Sequence, residues 1–483
     1  MNLEQLTAGM PELVKITGNA QTEIKTLTAD SRAKCESGLF FCIRGGRVDA
    51  HDFAPQAVAG GCVALVVERE LAIDCPQVVV TDVRAAMTRI ASAFNGHPER
   101  RMKLVGVTGT KGKTTTTYLF KSIVESAGMR CGIIGTTGCI AGKTKLPSHL
   151  TTPDPIEMFE ILRIMADAGV EVVCMEVSAH ALYLRKLVGV VFEAAAYTNL
   201  SQDHLDFFGT MDNYLAAKKL LFSAGMARNA AVNVDEETAK AVCDSLDCPL
   251  LTYGISGKAD LFARDIEITE TGVSFTLNLR NLHAERVHLL LTGMFNVYNA
   301  LAAAACAILC GIPSGAIVTG LGSFRGAKWR LEFKGKLGGA DVYDDYAHHP
   351  TELTATLKAA MAMPFRQVWA VFQPFTFSRT AMLLDEFAEA LSIPDHAVLT
   401  DIMGSREKNT YNIFTRQLGE KIPNAVWFPQ DESNPETTDE RKYANFAQVT
   451  EYICDHAQPG DLVITLGCGD INKVNKMILK ELE

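Results

Sequence analysis

Between Val105 and Thr115 an apolar run passes into Gly106-Val107-Thr108-Gly109-Thr110-Lys111-Gly112-Lys113-Thr114-Thr115, and this stretch carries the strongest chemical signal in the chain. Glycines let backbone amides approach phosphate oxygens without Cβ interference, a lysine reaches the outer phosphates, and a hydroxyl at the start of the following helix is placed for Mg2+. Gly109, Thr110, Lys111, Gly112, Lys113, Thr114 and Thr115 are therefore the expected cradle of a nucleoside triphosphate, with ATP as the expected ligand. The string departs from the usual G-x-x-x-x-G-K-S/T pattern, because Val107 stands where its first glycine would be.

Two further places bear reactive side chains. Residues 171–176 read as an apolar strand ending on Glu176, with Ser178 and His180 just beyond. Ligands gather at the carboxyl ends of strands in a parallel sheet, and Mg2+ takes oxygen ligands of this kind. A carboxylate there equally serves to cap the following turn. Downstream, His204 reads either as a metal ligand or as a core histidine, and Lys218 on its own reads as part of a solvated helix face.

The elements that must position these groups follow from periodicity and punctuation. Strands are expected at 39–43, 63–67 and 78–80 and a helix at 83–94, before the turn cluster Asn95-Gly96-His97-Pro98. Strands at 104–107, 131–134, 170–175 and 194–197 then alternate with helices at 114–127 and 155–168, and an Ala-rich helix occupies 299–309. A third set has strands at 340–343, 367–372, 397–400 and 462–465, helices at 351–361 and 381–391, and an exposed loop at 430–442. Strand–helix alternation implies parallel sheets covered on both faces. The expected fold is α/β in three domains, 1–99, 100–330 and 331–483, with the phosphate loop in a central parallel-sheet domain. Three domains suit 483 residues at roughly 150 residues per domain.

Composition removes several alternatives. The chain is 48% hydrophobic and 21% charged, which is ordinary globular composition. Its formal net charge of −10, with no long basic run, argues against nucleic acid or anionic membrane as a partner. Thirteen cysteines are scattered singly without metal-binding spacing, as expected of buried small residues in a reducing compartment. The first eighteen residues lack the pattern of a secretory signal, and no apolar stretch approaches the roughly 20 residues that span a bilayer. A cytoplasmic monomer without membrane insertion is the expectation.

Taken in order, TGTKGKTT (108–115), MEVSAHAL (175–182), TNLSQDHLD (198–206), YLAAKKLLF (214–222) and GMFNVYNA (293–300) resemble the Mur ligases, and the likeness covers nearly the whole chain. The resemblance implies an ATP-dependent amide ligase of peptidoglycan precursor synthesis. In such an enzyme an amino acid is joined to a UDP-N-acetylmuramoyl acceptor through an acyl phosphate. It implies an N-terminal UDP-binding domain, a central ATPase domain and a Rossmann-like C-terminal domain for the amino acid. It further implies Lys113 and Thr114 on the phosphates, and Glu176 and His204 as ligands of Mg2+, of which two ions are expected. Asn299 would meet adenine, and Arg330 would reach the nucleotide phosphates at a domain hinge. Lys218 matches a lysine that family members carbamylate, a change that turns a repelling cation into an anionic oxygen ligand.

The two ends resemble different members of the family. Asp30-Ser31-Arg32, Gly38-Leu39-Phe40-Phe41, Asp49-Ala50-His51 and Thr151-Thr152-Pro153 are similar to members that extend the muramoyl-dipeptide. Ser31, Arg32, His51, Thr151, Thr152, Pro153, Ser178 and Arg185 are then the expected acceptor contacts. DDYAHHPTE (344–352), FQPFTFSRT (372–380) and GDLVITLGCGDINKV (460–474) resemble the alanine-adding members instead, and Tyr346, His348, Arg379, Arg406 and Glu407 are the expected contacts of the incoming amino acid. Thr400 to Arg406 stands where an Asp-Asn-Pro-Arg motif marks diaminopimelate-adding members, and Phe375-Thr376 replaces the His-Arg pair of the alanine-adding ones. The amino acid is thus left open. The expected acceptor is the dipeptide UDP-N-acetylmuramoyl-L-alanyl-D-glutamate, with UDP-muramate itself or the monopeptide as alternatives. A folylpolyglutamate-synthase-like ligase and a nucleotide-binding regulator without ligase activity are the competing functions.

Overall fold

The computed structural model describes residues 1–46, 48–142, 144–146, 150–223, 225–269, 272–280, 283–326, 330–405, 407–428 and 445–480. The chain forms two compact units. The first comprises Met1–Glu267, Ser274–Leu289 and Met294–Phe324, and the second Ile268–Val273, Leu290–Gly293 and Arg325–Glu483.

A five-stranded sheet opens the first unit in the order Leu13–Thr17, Gln77–Val80, Cys62–Val67, Gly38–Phe41, Thr26–Thr28. Its pairs are parallel except for Leu13–Thr17 against Gln77–Val80. The helix Val83–Phe94 that follows begins where the Asp82 carboxylate accepts the Ala85 amide at 2.9 Å, an N-cap that satisfies one of the first turn's orphan donors.

An eleven-stranded sheet follows, and its centre is the parallel set Ala230–Asn233, Ala194–Tyr197, Lys103–Thr108, Val172–Glu176 and Cys131–Gly135. Val105, Val107, Val172, Val173, Ala195 and Ile133 are fully buried, as strands covered on both faces require. The sheet is not parallel throughout. Gly138–Ala141 and Thr144–Leu146 extend one edge in antiparallel fashion; the other edge continues through Leu250–Gly254 and Leu261–Thr269, both parallel to their inner neighbour, to Gly272–Leu279 and His283–Leu289. At four and three residues, Gly-Cys-Ile-Ala and Thr-Lys-Leu are too short to show an apolar alternation in sequence.

Helix Lys113–Ser126 packs against Met294–Leu309, whose run Ala300 to Ala305 is fully buried and lets the backbones come close. Helix Ser314–Ser323 packs on it from another side. A Cβ on Gly320 would run into the backbone of Ile123.

In the second unit a six-stranded sheet has the order Glu332–Leu337, Ala340–Asp345, Leu462–Leu466, Val368–Phe372, His396–Leu399, Ala425–Trp427, parallel apart from its first pair. Val342, Ala370, Val371, Val398, Val463 and Ile464 are buried at its centre. The helix expected at 381–391 is two helices, Phe377–Met382 and Leu384–Leu391, broken at Leu383 with φ −118°. The loop expected at 430–442 lies outside the described residues.

All thirteen cysteines are free thiols. Seven are buried, but Cys454 is exposed, so burial does not account for every one. Among the described residues no helix is long and apolar enough to cross a membrane.

Gly320→Ala would force the added methyl onto the Ile123 backbone, where no flexible side chain can yield. A loss of about 1–3 kcal/mol of stability is expected from such overpacking, measurable by urea denaturation, and parent-like stability would disprove the close approach.

Candidate active site at the carboxyl ends of the central strands

Register brings the signals found in the sequence together. Glu176 pairs with Val107, and Tyr197 pairs with Thr108, so three strands end side by side. The loop leaving the middle strand turns at Gly109 (φ 150°) and Gly112 (φ 83°), both in the region that favours glycine. A Cβ on Gly109 would collide with the Thr198 hydroxyl, and one on Gly112 with the Asn299 side chain. Thr198 to Ser201 brace the loop from beneath. Lys111 N donates to Asn199 Oδ1 at 2.8 Å, and Lys111 O accepts from Thr198 Oγ1 at 2.8 Å and from Asn199 Nδ2 at 3.1 Å. Thr110 N donates to Asn199 O at 2.9 Å, and Ser201 N to Thr110 Oγ1 at 3.0 Å.

Lys113, on the first turn of its helix, folds back so that Nζ donates to the carbonyls of Gly109 (3.0 Å) and Thr110 (2.9 Å). Lys218 reaches the same carbonyl, Gly109 O, at 2.8 Å from the helix Met211–Lys219, and its Nζ lies 4.2 Å from the Tyr214 ring centroid. Its relative exposure is 1%, so the solvated helix face read from its own segment is wrong. Burial, then the charges of Lys113 and Lys111, push its pKa well below the ordinary lysine value, against a pull from Asp203.

Glu176 is 1% exposed and tightly held. Thr114 Oγ1 lies 3.0 Å from each carboxylate oxygen, Thr136 N donates to Oε1 at 3.0 Å, and Thr136 Oγ1 donates to Oε2 at 3.1 Å. The Thr114 hydroxyl and a Glu176 oxygen therefore stand about as far apart as adjacent corners of an octahedron with Mg–O near 2.1 Å, roughly 3 Å. Among the described residues no group of three or more His, Cys, Asp or Glu side chains could hold a metal. The hydroxyl of Thr114 and the carboxylate of Glu176 are oxygen donors of the kind that suit Mg2+, which keeps waters and substrate phosphates among its other ligands.

His204 sits in the left-handed region (φ 54°) at the start of helix Leu205–Phe208. Its ring lies 4.8 Å from the His180 ring and 6.0 Å from that of Tyr214, and Nδ1 is 3.8 Å from Asp203 Oδ1. Tyr214 is thus common ground between His204 and Lys218. Asn299 is buried against Gly112, its Nδ2 donating to Asn296 Oδ1 at 3.1 Å. Thr152 Oγ1 donates to Glu176 O at 2.8 Å and accepts from Ser178 N at 3.0 Å, while Thr151 Oγ1 lies 3.1 Å from Thr136 Oγ1. The Thr151-Thr152-Pro153 segment and Ser178 therefore adjoin the carboxylate. Sequence reasoning missed Thr136, Thr198 and Asn199; a hydroxyl immediately after the strand Cys131–Gly135, next to the one bearing Glu176, was the available signal for Thr136.

In the five-stranded domain, Arg32 makes a two-pronged ion pair with Asp30 (2.9 and 3.0 Å) that lowers the Asp30 pKa to about 2, and Ser31 Oγ donates to Gln56 Oε1 at 3.2 Å. His51 is a correction. Its side chain is fully buried, Nδ1 bonds Asp49 Oδ1 at 2.6 Å and Nε2 accepts the Glu68 amide at 3.0 Å, so both ring nitrogens serve the domain and neither meets an acceptor. Arg185 (φ 58°) pairs with Asp82 at 3.1 Å, and its neighbour Lys186 with Asp154 at 2.8 Å.

In the second unit the Arg330 guanidinium lies 5.1 Å from the Tyr346 ring centroid. His348 Nδ1 donates to Tyr346 O at 2.9 Å, with Glu352 3.2 Å away. Glu407 accepts from Ser378 N at 2.9 Å and Ser378 Oγ at 2.6 Å, which anchors the helix Phe377–Met382 carrying Arg379. Burial raises Asp344 to about 6. Arg406 lies outside the described residues.

The chain matches three family models: the Mur ligase family catalytic domain over residues 23–99, the Mur ligase middle domain over 107–307 and the Mur ligase glutamate ligase domain over 329–469. It is 39% identical over 379 residues to a UDP-N-acetylmuramoyl-L-alanyl-D-glutamate–2,6-diaminopimelate ligase of Geobacillus thermodenitrificans, covering 77% of each chain. A ligase of the same description from Clostridium acetobutylicum is 38% identical, with 74% of each covered. The crystal structure of MurF from Acinetobacter baumannii superposes with a TM-score of 0.69 at 23% identity, over 100% of this chain and 98% of that one. At that identity the superposition shows the three-sheet fold alone.

Lys218 gives a test that needs no substrate. Between its depressed folded pKa and the unfolded value of about 10.4, the unfolded chain binds more protons, so stability rises with pH. The burden is full below the folded pKa and gone above the unfolded one. In CO2-free buffer Lys218→Met is expected to melt above the parent at pH 7, with the gap closing towards pH 10; equal melting points at pH 7 would exclude a strained ammonium.

Proposed function

The chain belongs to the Mur ligase family, and from that footing we propose that it is an ATP-dependent ligase joining an amino acid to UDP-N-acetylmuramoyl-L-alanyl-D-glutamate. The observation that carries the proposal is the meeting of Lys113, Thr114, Glu176 and Lys218 at one loop, in a chain 39% identical to a ligase named for that acceptor. The γ-phosphoryl group of ATP passes to the acceptor carboxylate, giving an acyl phosphate. The amine attacks the acyl carbon, the amide forms, and phosphate leaves. A carboxylate is a poor electrophile, so the phosphoryl group supplies the leaving group the amine needs.

Lys113 and the amides of residues 109–114 hold the β- and γ-phosphates and offset charge on the transferring group, where positioning and electrostatics supply most of the acceleration. Thr114 and Glu176 would hold a Mg2+ ion, which would supply neutralising charge for the phosphates, and a second ion would take His204 and a carbamylated Lys218. Lys218 suits that modification, because a lysine held below its ordinary pKa presents the neutral amine that CO2 requires. Asn299 serves the adenine side of the loop and Arg330 the phosphates. Ser31, Arg32, Thr151, Thr152, Pro153, Ser178 and Arg185 are left to the acceptor.

The incoming amino acid is not carried over from the relatives, because Thr400 to Arg406 lacks the Asp-Asn-Pro-Arg motif sought there. Arg379 is the candidate for its carboxylate, since a guanidinium pairs with one through two parallel bonds, and Tyr346, His348 and Glu407 are the further candidates for its contacts. A UDP-linked acceptor fits a cytoplasmic enzyme.

Phosphate release across UDP-muramate and UDP-muramoyl-peptide acceptors, each with L- and D-amino acids, is expected to single out the dipeptide acceptor; release with none would defeat the proposal. Lys218→Ala is expected to abolish turnover, with bicarbonate restoring part of it, and a variant as active as the parent would remove the carbamate.

A further inference from the structure

Thr136 ties the Glu176 carboxylate to the Thr151-Thr152 segment, and we infer that it is a positioning residue for the ligation, aligning the magnesium-binding carboxylate in step with acceptor binding; this rests on the function proposed above. The placement leaves little freedom. Thr136 directly follows the strand Cys131–Gly135, whose Ile134 pairs with Met175 of the strand ending in Glu176. A Cβ on Gly135 would collide with Glu176 Oε1, so the carboxylate lies over a glycine and within reach of the next residue. Thr136 then binds both of its oxygens, Oε1 through the backbone amide at 3.0 Å and Oε2 through the hydroxyl at 3.1 Å.

Proton counting gives the chain of bonds a direction. A carboxylate only accepts, and a threonine hydroxyl has one proton. With that proton on Glu176 Oε2, Thr136 Oγ1 can meet Thr151 Oγ1, 3.1 Å away, only as an acceptor. Thr151 must therefore donate to Thr136. Its own proton is committed, and it faces the acceptor molecule with lone pairs. Thr151 then suits an amide N–H or a hydroxyl of the acceptor and disfavours a carboxylate. An acceptor group that fixes Thr151 also fixes Thr136, and through it the orientation of Glu176 beside Thr114.

The test compares Thr136→Val, which keeps the shape and removes the hydroxyl, with Thr136→Ser, which keeps the hydroxyl. Calorimetric binding of a non-hydrolysable ATP analogue, titrated over Mg2+ concentration, is expected to weaken about tenfold in the Val variant and to stay within about threefold of the parent in the Ser variant. Steady-state KM for the acceptor should rise in Thr136→Val and in Thr151→Val, and the double variant should be no worse than the poorer single one, because the two act through one chain of bonds. Parent-like Mg2+-dependent binding by Thr136→Val, a Ser variant as impaired as Val, or additive effects of the two threonines would each overturn the inference. Thermal melts by circular dichroism confirm that the variants are folded. If the parent releases phosphate with no acceptor, the ligase reading falls, while the calorimetric comparison still decides the part played by Thr136.

Discussion

The side-chain nitrogens of Lys113 and Lys218 share the carbonyl oxygen of Gly109 at 3.0 and 2.8 Å. A second ammonium in a site so shielded from water is disfavoured: burial, then the charges of Lys113 and Lys111, hold Lys218 towards its neutral form against a pull from Asp203. The central sheet supports this arrangement: the strand register sets Glu176 and Tyr197 level with the loop, and the Ala-rich helix backs it. A polyanion at the loop gives the Lys113 cation a partner and offsets its push on Lys218. The cluster exists in a chain whose net charge is −10, so the local field has the opposite sign to the protein as a whole, which favours a small anionic ligand over a broad polyanionic surface.

The centre of the fold was legible because buried parallel strands are uniform. Cys131–Gly135, Val172–Glu176 and Ala194–Tyr197 are apolar runs between turns, and Val83–Phe94 shows both its period and its cap. The edges were not, since Gly138–Ala141 and Thr144–Leu146 are held by pairing with a neighbour and carry little pattern of their own. Leu383 breaks a helix that periodicity alone runs straight through. In the site the loop announced itself, whereas Lys218 was singled out by the family resemblance and not by its own segment. Its helix has no strong apolar face, and only the fold shows that residue 218 is carried under Gly109. Thr136 was silent for the same reason, its meaning resting on the neighbouring strand. His51 misled, because a histidine within a recognisable string was assigned to a ligand while the fold uses it to join Asp49 to the Glu68 amide.

The second unit shows a different balance between scaffold and site. Tyr346, His348 and Glu352 are linked to one another, and Glu407 is anchored to Ser378, so several of the expected amino-acid contacts are also structural partners. Substitution at any of them changes more than one interaction.

The hydrogen bonds from Thr198, Asn199 and Ser201 complete the loop's cradle using only the protein's own groups. A loop already fixed in shape surrenders little conformational freedom when a triphosphate arrives, so the binding free energy is not diminished by ordering the backbone. Capture can then be governed by diffusion and charge, leaving residence time as the quantity that separates one nucleotide from another.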